Sequence, residues 1–195
     1  MGVRSLGNAL AGFRYKFGRT GTEASGAAGG GSNISATGGN QTSSSGFTAP
    51  NGFKYHVFTS SGSLVVASGS GEAYYLVVAG GGSGGYGNGA GGGAGGLRSN
   101  DPTVPGPSNM KVTHTFTLSP GTYPVTVGDG GTAPADSGSE SKIGTSTVVA
   151  SGGGYGGSNG TGEPGGSGGG GTPPSAASSV NSPDPLSPDK QGHAG

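Results

Sequence analysis

Between Gly152 and Gly171 glycine recurs at every third position, and no other feature of the chain limits its folding so tightly. Positions 153, 156, 162, 165, 168 and 171 are all Gly, broken only by Asn159. Positions 154, 157, 160, 166 and 169 form a second row, broken only by Glu163. The third row carries nearly everything else: Tyr155, Ser158, Thr161, Pro164 and Ser167. A left-handed helix of the polyproline II type has three residues per turn. Two of its three faces would then be bare, which lets neighbouring backbones approach closely enough to hydrogen-bond. Gly80 to Gly96 shows a weaker version, with Gly81, Gly84, Gly87, Gly93 and Gly96 in one row and Ala90 interrupting it. Chance also produces such rows in so glycine-rich a segment, and a flexible linker is the alternative. A collagen triple helix is excluded by the lack of strict Gly-X-Y with abundant Pro.

Composition sharpens that choice. The chain has 50 Gly among 195 residues, no Cys, no Trp, and 9 basic against 9 acidic side chains. Leu, Ile, Val and Phe make up roughly one residue in seven, too few for an ordinary packed core. An ordered Gly costs roughly 0.5–1 kcal/mol more than an ordered Ala. Ordered glycine runs therefore need main-chain hydrogen bonds or neighbouring subunits to offset that cost. Balanced charge argues against nucleic acid or an anionic membrane as partner. The lack of Cys excludes a disulfide framework and thiolate metal sites. No apolar run approaches the length of a membrane span, so no membrane insertion is expected, and the N-terminus lacks a secretory h-region.

Between the glycine runs the pattern is β-like. Phe53–Thr59, Ser63–Ala67, Tyr74–Ala79, Thr113–Val127 and Ser141–Ala150 are short runs rich in β-branched and aromatic residues. Gly, Ser and Pro bound them, which predicts an antiparallel set. Ser60-Ser61-Gly62, Ser68-Gly69-Ser70-Gly71, Pro120-Gly121 and Gly128-Asp129-Gly130-Gly131 read as turns. The expected fold class is mainly β: a small antiparallel module with polyglycine-II-like or loop segments and a short N-terminal helix or anchor.

That anchor occupies residues 1–25. Val3, Leu6, Leu10, Phe13 and Phe17 recur at spacings of three and four, one apolar helical stripe. Arg4, Arg14, Lys16 and Arg19 make the segment basic. Gly2, Gly7 and Gly12 weaken such a helix by about 1 kcal/mol each, so it would need a partner surface. Residues 26–46, nearly all Gly, Ser, Ala, Thr and Asn, read as a flexible linker. Residues 47–171 form the β and glycine-rich module, and 172–195 a Pro-rich connector.

No motif carries chemistry. Gly80, Gly82 and Gly85 satisfy G-x-G-x-x-G directly after a strand, but glycine continues to Gly96 where the dinucleotide fingerprint needs a helix. Asp101 stands near the acidic position of that fingerprint by coincidence. His56, His114 and His193 show no metal-ligand spacing, and His114 reads as a sheet residue. The acids form no pair placed for glycoside cleavage. No catalytic, cofactor-binding or metal site is expected.

Five blocks then follow in order: YLVVAGGGSGG (75–85), GAGGGAGGLRS (89–99), LSPGTYPVTVGDGG (118–131), SKIGTSTVVASGGGYGG (141–157) and GGSGGGG (165–171). Together they resemble the glycine-rich module of tailed-phage fibres and adhesins, over roughly residues 63–195. The N-terminal block resembles virion-attachment ends of marine cyanophage structural proteins. The closing QGHAG is similar to a segment from which the family continues with further repeats, implying a module cut short here or completed elsewhere.

The resemblance implies a non-enzymatic virion protein that binds the host surface. Its N-terminus would dock on other virion proteins through Val3, Leu6, Leu10, Phe13, Arg14, Phe17 and Arg19. Copies would assemble as a homotrimer, since symmetric assembly supplies burial that one chain lacks. Tyr86, Tyr155 and the connector Arg98–Asn109 are the expected exposed contacts, Arg98 among them, toward a cell-surface glycan or protein. The competing readings are a capsid-bound decoration protein of the phage head and a cellular glycine-rich scaffold.

Overall fold

A computed structural model of the chain describes residues 11–16, 34–40, 47–48, 53–103, 115–132, 134–145 and 148–172. Eleven strands run through them: β1 (Ala11–Lys16), β2 (Ser35–Thr37), β3 (Phe47–Thr48), β4 (Phe53–Phe58), β5 (Gly62–Ser68), β6 (Gly71–Val78), β7 (Leu97–Ser99), β8 (Phe116–Leu118), β9 (Gly121–Thr126), β10 (Ser141–Ile143) and β11 (Val148–Ala150). The fold is mainly β and antiparallel, as expected, with no helix among the described residues.

The strands form two sheets. One has the order β3-β4-β1-β6-β7 with β8 also on β6, and the other has the order β11-β10-β9-β5-β2. In β5 alternation supplies one buried face, with Leu64 and Val66 buried while Ser63, Val65 and Ala67 are exposed. The two buried faces meet in one apolar cluster. Phe58, Tyr75, Val77, Phe116 and Leu118 come from the first sheet, and Leu64, Val66, Val125, Ile143 and Val148 from the second. Each such side chain contributes roughly 1.5–3 kcal/mol when fully buried, so the sparse apolar content is concentrated here.

Several links cross between the layers. The Ser60-Ser61-Gly62 link joins β4 of one sheet to β5 of the other, and Gly69 (φ 81°) helps return the chain to β6. Pro120-Gly121 likewise joins β8 on the first sheet to β9 on the second, so it is a corner between layers and not a hairpin. The Tyr123 hydroxyl accepts from Ser119 N–H and donates to Ser119 O, closing that corner.

β7 and β8 bond the same edge of β6 in series, at residues 76–78 and 71–73. Asn100 fills the interval between them. Its Oδ1 accepts from Tyr75 N–H at 2.8 Å and its Nδ2 donates to Ala73 O at 3.0 Å, while Ser99 Oγ donates to Tyr75 O at 2.8 Å. A side-chain amide thus substitutes for a missing stretch of strand.

Three expectations need correction. Ala11–Lys16 is a strand between β4 and β6, not part of a helical stripe. Phe13 and Tyr15 alternate with Arg14 and Lys16, and two-sided pairing satisfies the backbone of a stretch that Gly12 makes a poor helix. Val3, Leu6, Leu10, Phe17 and Arg19 lie outside the described residues. Residues 34–40, placed in the linker, instead form β2 and its exit. Ile34 and Ala36 are buried, and Asn40 N–H donates to Val57 O at 2.9 Å. Gly128–Gly131, expected as a turn, is extended: Asp129 O accepts from Ser139 N–H and Gly131 N–H donates to Gly81 O. The reversal comes later, at Pro134 and Ala135.

Candidate functional site

The glycine runs leave the sheets as three excursions. Residues 79–96 connect β6 to β7, residues 127–140 connect β9 to β10, and residues 151–172 follow β11. Their backbones bond to one another at a step of three. Ala79, Gly82 and Gly85 donate to Gly96, Gly93 and Ala90. Ala90, Gly93 and Gly96 in turn donate to Gly157, Gly154 and Ser151. Gly153 and Gly156 donate to Gly80 and Ser83, and Gly154 and Gly157 to Ser167 and Gly170. A repeat of three along each partner is the period of a polyproline II helix, so these segments are polyglycine-II-like arms.

Residues 151–157 form the central arm. Hydrogen bonds tie it to residues 79–85, 90–96, 136–139, 161–164 and 166–172. Most glycines of the two rows read from the sequence are pressed by neighbouring backbone, but Gly160 of the second row is open and Gly152, outside both rows, is crowded by Gly138 and Ser139. A Cβ on Gly156 would stand 2.6 Å from the carbonyl carbon of Ala90, and one on Gly153 2.7 Å from the amide nitrogen of Gly95. In 80–87 the expected row has the wrong phase: a Cβ at Gly84 would meet nothing nearer than 3.5 Å, whereas Gly82 and Gly85 are crowded by the central arm. The run reverses at Tyr86–Asn88 and becomes two antiparallel arms, so a single row cannot persist through it.

Tyr155 and Ser158 stand three residues apart, in the third row read from the sequence. Tyr155 OH donates to Glu163 Oε1 at 3.0 Å, and Tyr155 O accepts from Glu163 N–H. That side-chain bond comes first among the causes that hold the phenol above the usual tyrosine range, with burial and the Glu163 charge adding to it. One turn on, Ser158 Oγ accepts from Tyr86 N–H at 2.7 Å. Arms 79–85 and 151–157 run parallel, so the loops that end them meet at the end away from the sheets.

A third loop joins this rim. Asp136 N–H donates to Ser83 Oγ at 2.8 Å, and Ala135 N–H donates to Gly84 O at 3.1 Å. Thr132 N–H donates to Asp136 Oδ2 at 3.1 Å, closing the loop on itself. Ala135 has φ 61°, a left-handed conformation that costs a non-glycine residue roughly 1–2 kcal/mol. The loop is held in shape against local strain.

The structure separates the three expected contacts. Tyr86 is 61% exposed at the rim, and Tyr155 is partly exposed one turn below Ser158. Arg98 is buried at 1% exposure and is no surface contact. It pairs across the sheet with Val77, whose side chain lies in the core, and residues paired across strands point to the same face. Ser99 and Asp101 of the same connector are also buried, and residues 104–109 lie outside those described. Ser158, Asp136 and Glu163 were not singled out from the sequence. Glu163 gave a signal, since it is the residue that breaks the second glycine row.

Among the described residues no group of three or more His, Cys, Asp or Glu is placed to hold a metal ion. His56, fully buried on β4, donates from Nδ1 to Gly38 O at 2.7 Å and ties the exit of β2 to the first sheet. His114 and His193 lie outside the described residues.

The glycine-rich domain family matches residues 59–195, spanning the rim, the arms and most of the strands. The chain belongs to the glycine-rich domain family. Within this glycine-rich domain the bonded arms explain the composition, because only glycine lets the backbones meet. No curated protein and no solved structure matches the chain.

Proposed function

We propose that this glycine-rich domain protein is a non-catalytic virion component of the tail-fibre or adhesin type. The sheets and arms form a support, and the rim of loops at the far end makes contact with a cell surface. The observation that carries the reading is the lattice of backbone bonds at a step of three, which displays Tyr86 and residues 134–136 at a fixed end of the molecule. Rigid support with polar loops at one end is the arrangement on which binding residues are commonly found. The ordered blocks that resemble phage fibre modules set the biological context. In that context, three copies assemble.

Three measurements test this. Antibodies against residues 53–172 should decorate particle tails, and decoration of the head would replace the fibre reading with that of a capsid protein. Labelled protein should bind susceptible bacterial cells, and replacing the exposed Tyr86 should abolish that binding without lowering thermal stability. Light scattering on the purified chain should give a trimer mass.

A further inference from the structure

Resting on the reading of the rim as a contact surface, we infer that it recognises a neutral, hydroxyl-rich ligand: an uncharged oligosaccharide of three or more sugar units laid along the column from Tyr155 to Tyr86. Tyr155 and Ser158 stand three residues apart where the central arm ends, and Ser158 Oγ accepts from the amide of Tyr86. A rise of about 3.1 Å per residue makes that step about 9 Å. The backbone of Tyr155 and that of Tyr86, bonded to Ser158, are thus offset along the arm by about that distance. A tyrosine ring offers an apolar face with a polar edge, which suits the C–H face of a pyranose.

Charge and polarity choose the ligand class. The rim carries Asp136 and Glu163, with Asn88 and Asn159 exposed beside the aromatic column. These groups are mainly acceptors, or donor and acceptor together, and so match hydroxyls. Residues 73–97 and 143–172 contain no Lys, and Arg98 is buried, so among the described residues no cation at the rim offsets an anionic ligand's charge. Phosphorylated or carboxylated polymers would meet two uncompensated carboxylates. A protein partner is less well served. Specific protein interfaces bury about 800 Å² on each side around an aromatic or apolar centre. Among the described residues two large hydrophobics are strongly exposed, Tyr86 at the rim and Val65 on the outer face of the second sheet.

The test uses the full chain on an array of neutral and acidic oligosaccharides of increasing length, followed by calorimetry on the hits and by cell binding. Neutral chains of three or more units should bind, and mono- and disaccharides should bind at least about tenfold more weakly. Tyr86→Ala and Tyr155→Ala should each lose about tenfold or more, while Tyr155→Phe, which keeps the ring, should stay within about threefold. Binding confined to acidic glycans, or unaltered in both alanine variants, overturns the proposal. Cell binding that depends on Tyr86 but is abolished by protease treatment of the cells, and not by periodate, overturns the glycan assignment and leaves the contact-surface reading standing. Cell binding that ignores the rim substitutions overturns both. Since Tyr155→Ala also removes a hydrogen bond, an unchanged melting temperature for Tyr86→Ala keeps the result interpretable.

Discussion

Gly153 donates its amide hydrogen to the carbonyl of Gly80 over 2.9 Å, and one three-residue turn later Gly156 does the same to Ser83. The crowding that permits these bonds differs sharply from one glycine to the next. A Cβ at Gly156 would stand 2.6 Å from the Ala90 carbonyl carbon and 2.8 Å from Gly91 O, whereas one at Gly91 would meet nothing within 4 Å. Gly156→Ala should therefore cost about 2 kcal/mol or more, through overpacking and lost bonds. Gly91→Ala should be neutral or stabilise by up to about 1 kcal/mol, by restricting the unfolded chain. Denaturant midpoints of the two variants decide the matter. Equal losses would mean that the arms do not pack as described.

Asn100 gives a second, independent lever on the first sheet. It supplies an acceptor to Tyr75 N–H and a donor to Ala73 O, where β6 lacks a strand partner on that edge. Removing a partner from a buried backbone group costs about 1–3 kcal/mol. Asn100→Ala should then lose about 2–4 kcal/mol, and Asn100→Asp, which can accept but not donate, should recover only part of it. An Asn100→Ala variant melting like the parent would show that water replaces the amide freely.

Much of this was readable beforehand, and the misses share a cause. The strands from Phe53 onward follow from alternation, and the rows at 153–171 follow from a period of three. Both are local patterns. The phase of the glycine row at 80–87 was not readable, because the reversal at Tyr86 decides it and that reversal depends on contact with Ser158, far along the chain. Arg98 was expected at the surface as the start of the connector that the resemblance implies, yet its pairing with Val77 turns it inward. Residues 34–40 have a linker's composition but contribute Ile34 and Ala36 to the core, and two apolar residues in a polar stretch give almost no periodic signal.

His56 should make stability depend on pH. Burial holds its imidazole below the usual histidine range, its bond to Gly38 opposes that shift, and the Lys54 charge adds to it. A folded pKa below the unfolded 6.5 means that the unfolded chain binds the proton first. Stability is therefore complete above about pH 6.5 and declines as pH falls from there through the folded value, by at most about 1.4 kcal/mol per pH unit for one site. His56→Gln, which keeps a donor for Gly38 O, should flatten that part of the curve. Urea midpoints between about pH 7.5 and 4.5 compare the two, and parallel curves would remove His56 as the cause.

Tyr155 and Glu163 make the last prediction, at the rim itself. The carboxylate accepts the phenol hydrogen at 3.0 Å, and ionising Tyr155 would break that bond and set two negative charges side by side. Its titration should lie above that of an ordinary tyrosine, and the stability the bond contributes should fade as pH rises above about 10. Glu163→Gln removes the charge but keeps an acceptor, so the Tyr155 midpoint should move down toward the ordinary range without reaching it. Tyrosine ring resonances followed by NMR through alkaline pH, with Tyr155→Phe identifying the signal, measure the shift. A midpoint indifferent to Glu163→Gln would show that the two side chains do not meet in solution. Glu163 would then be only an interruption in a glycine row, and the column from Tyr155 to Tyr86 would lose the residue that fixes the orientation of its lower ring.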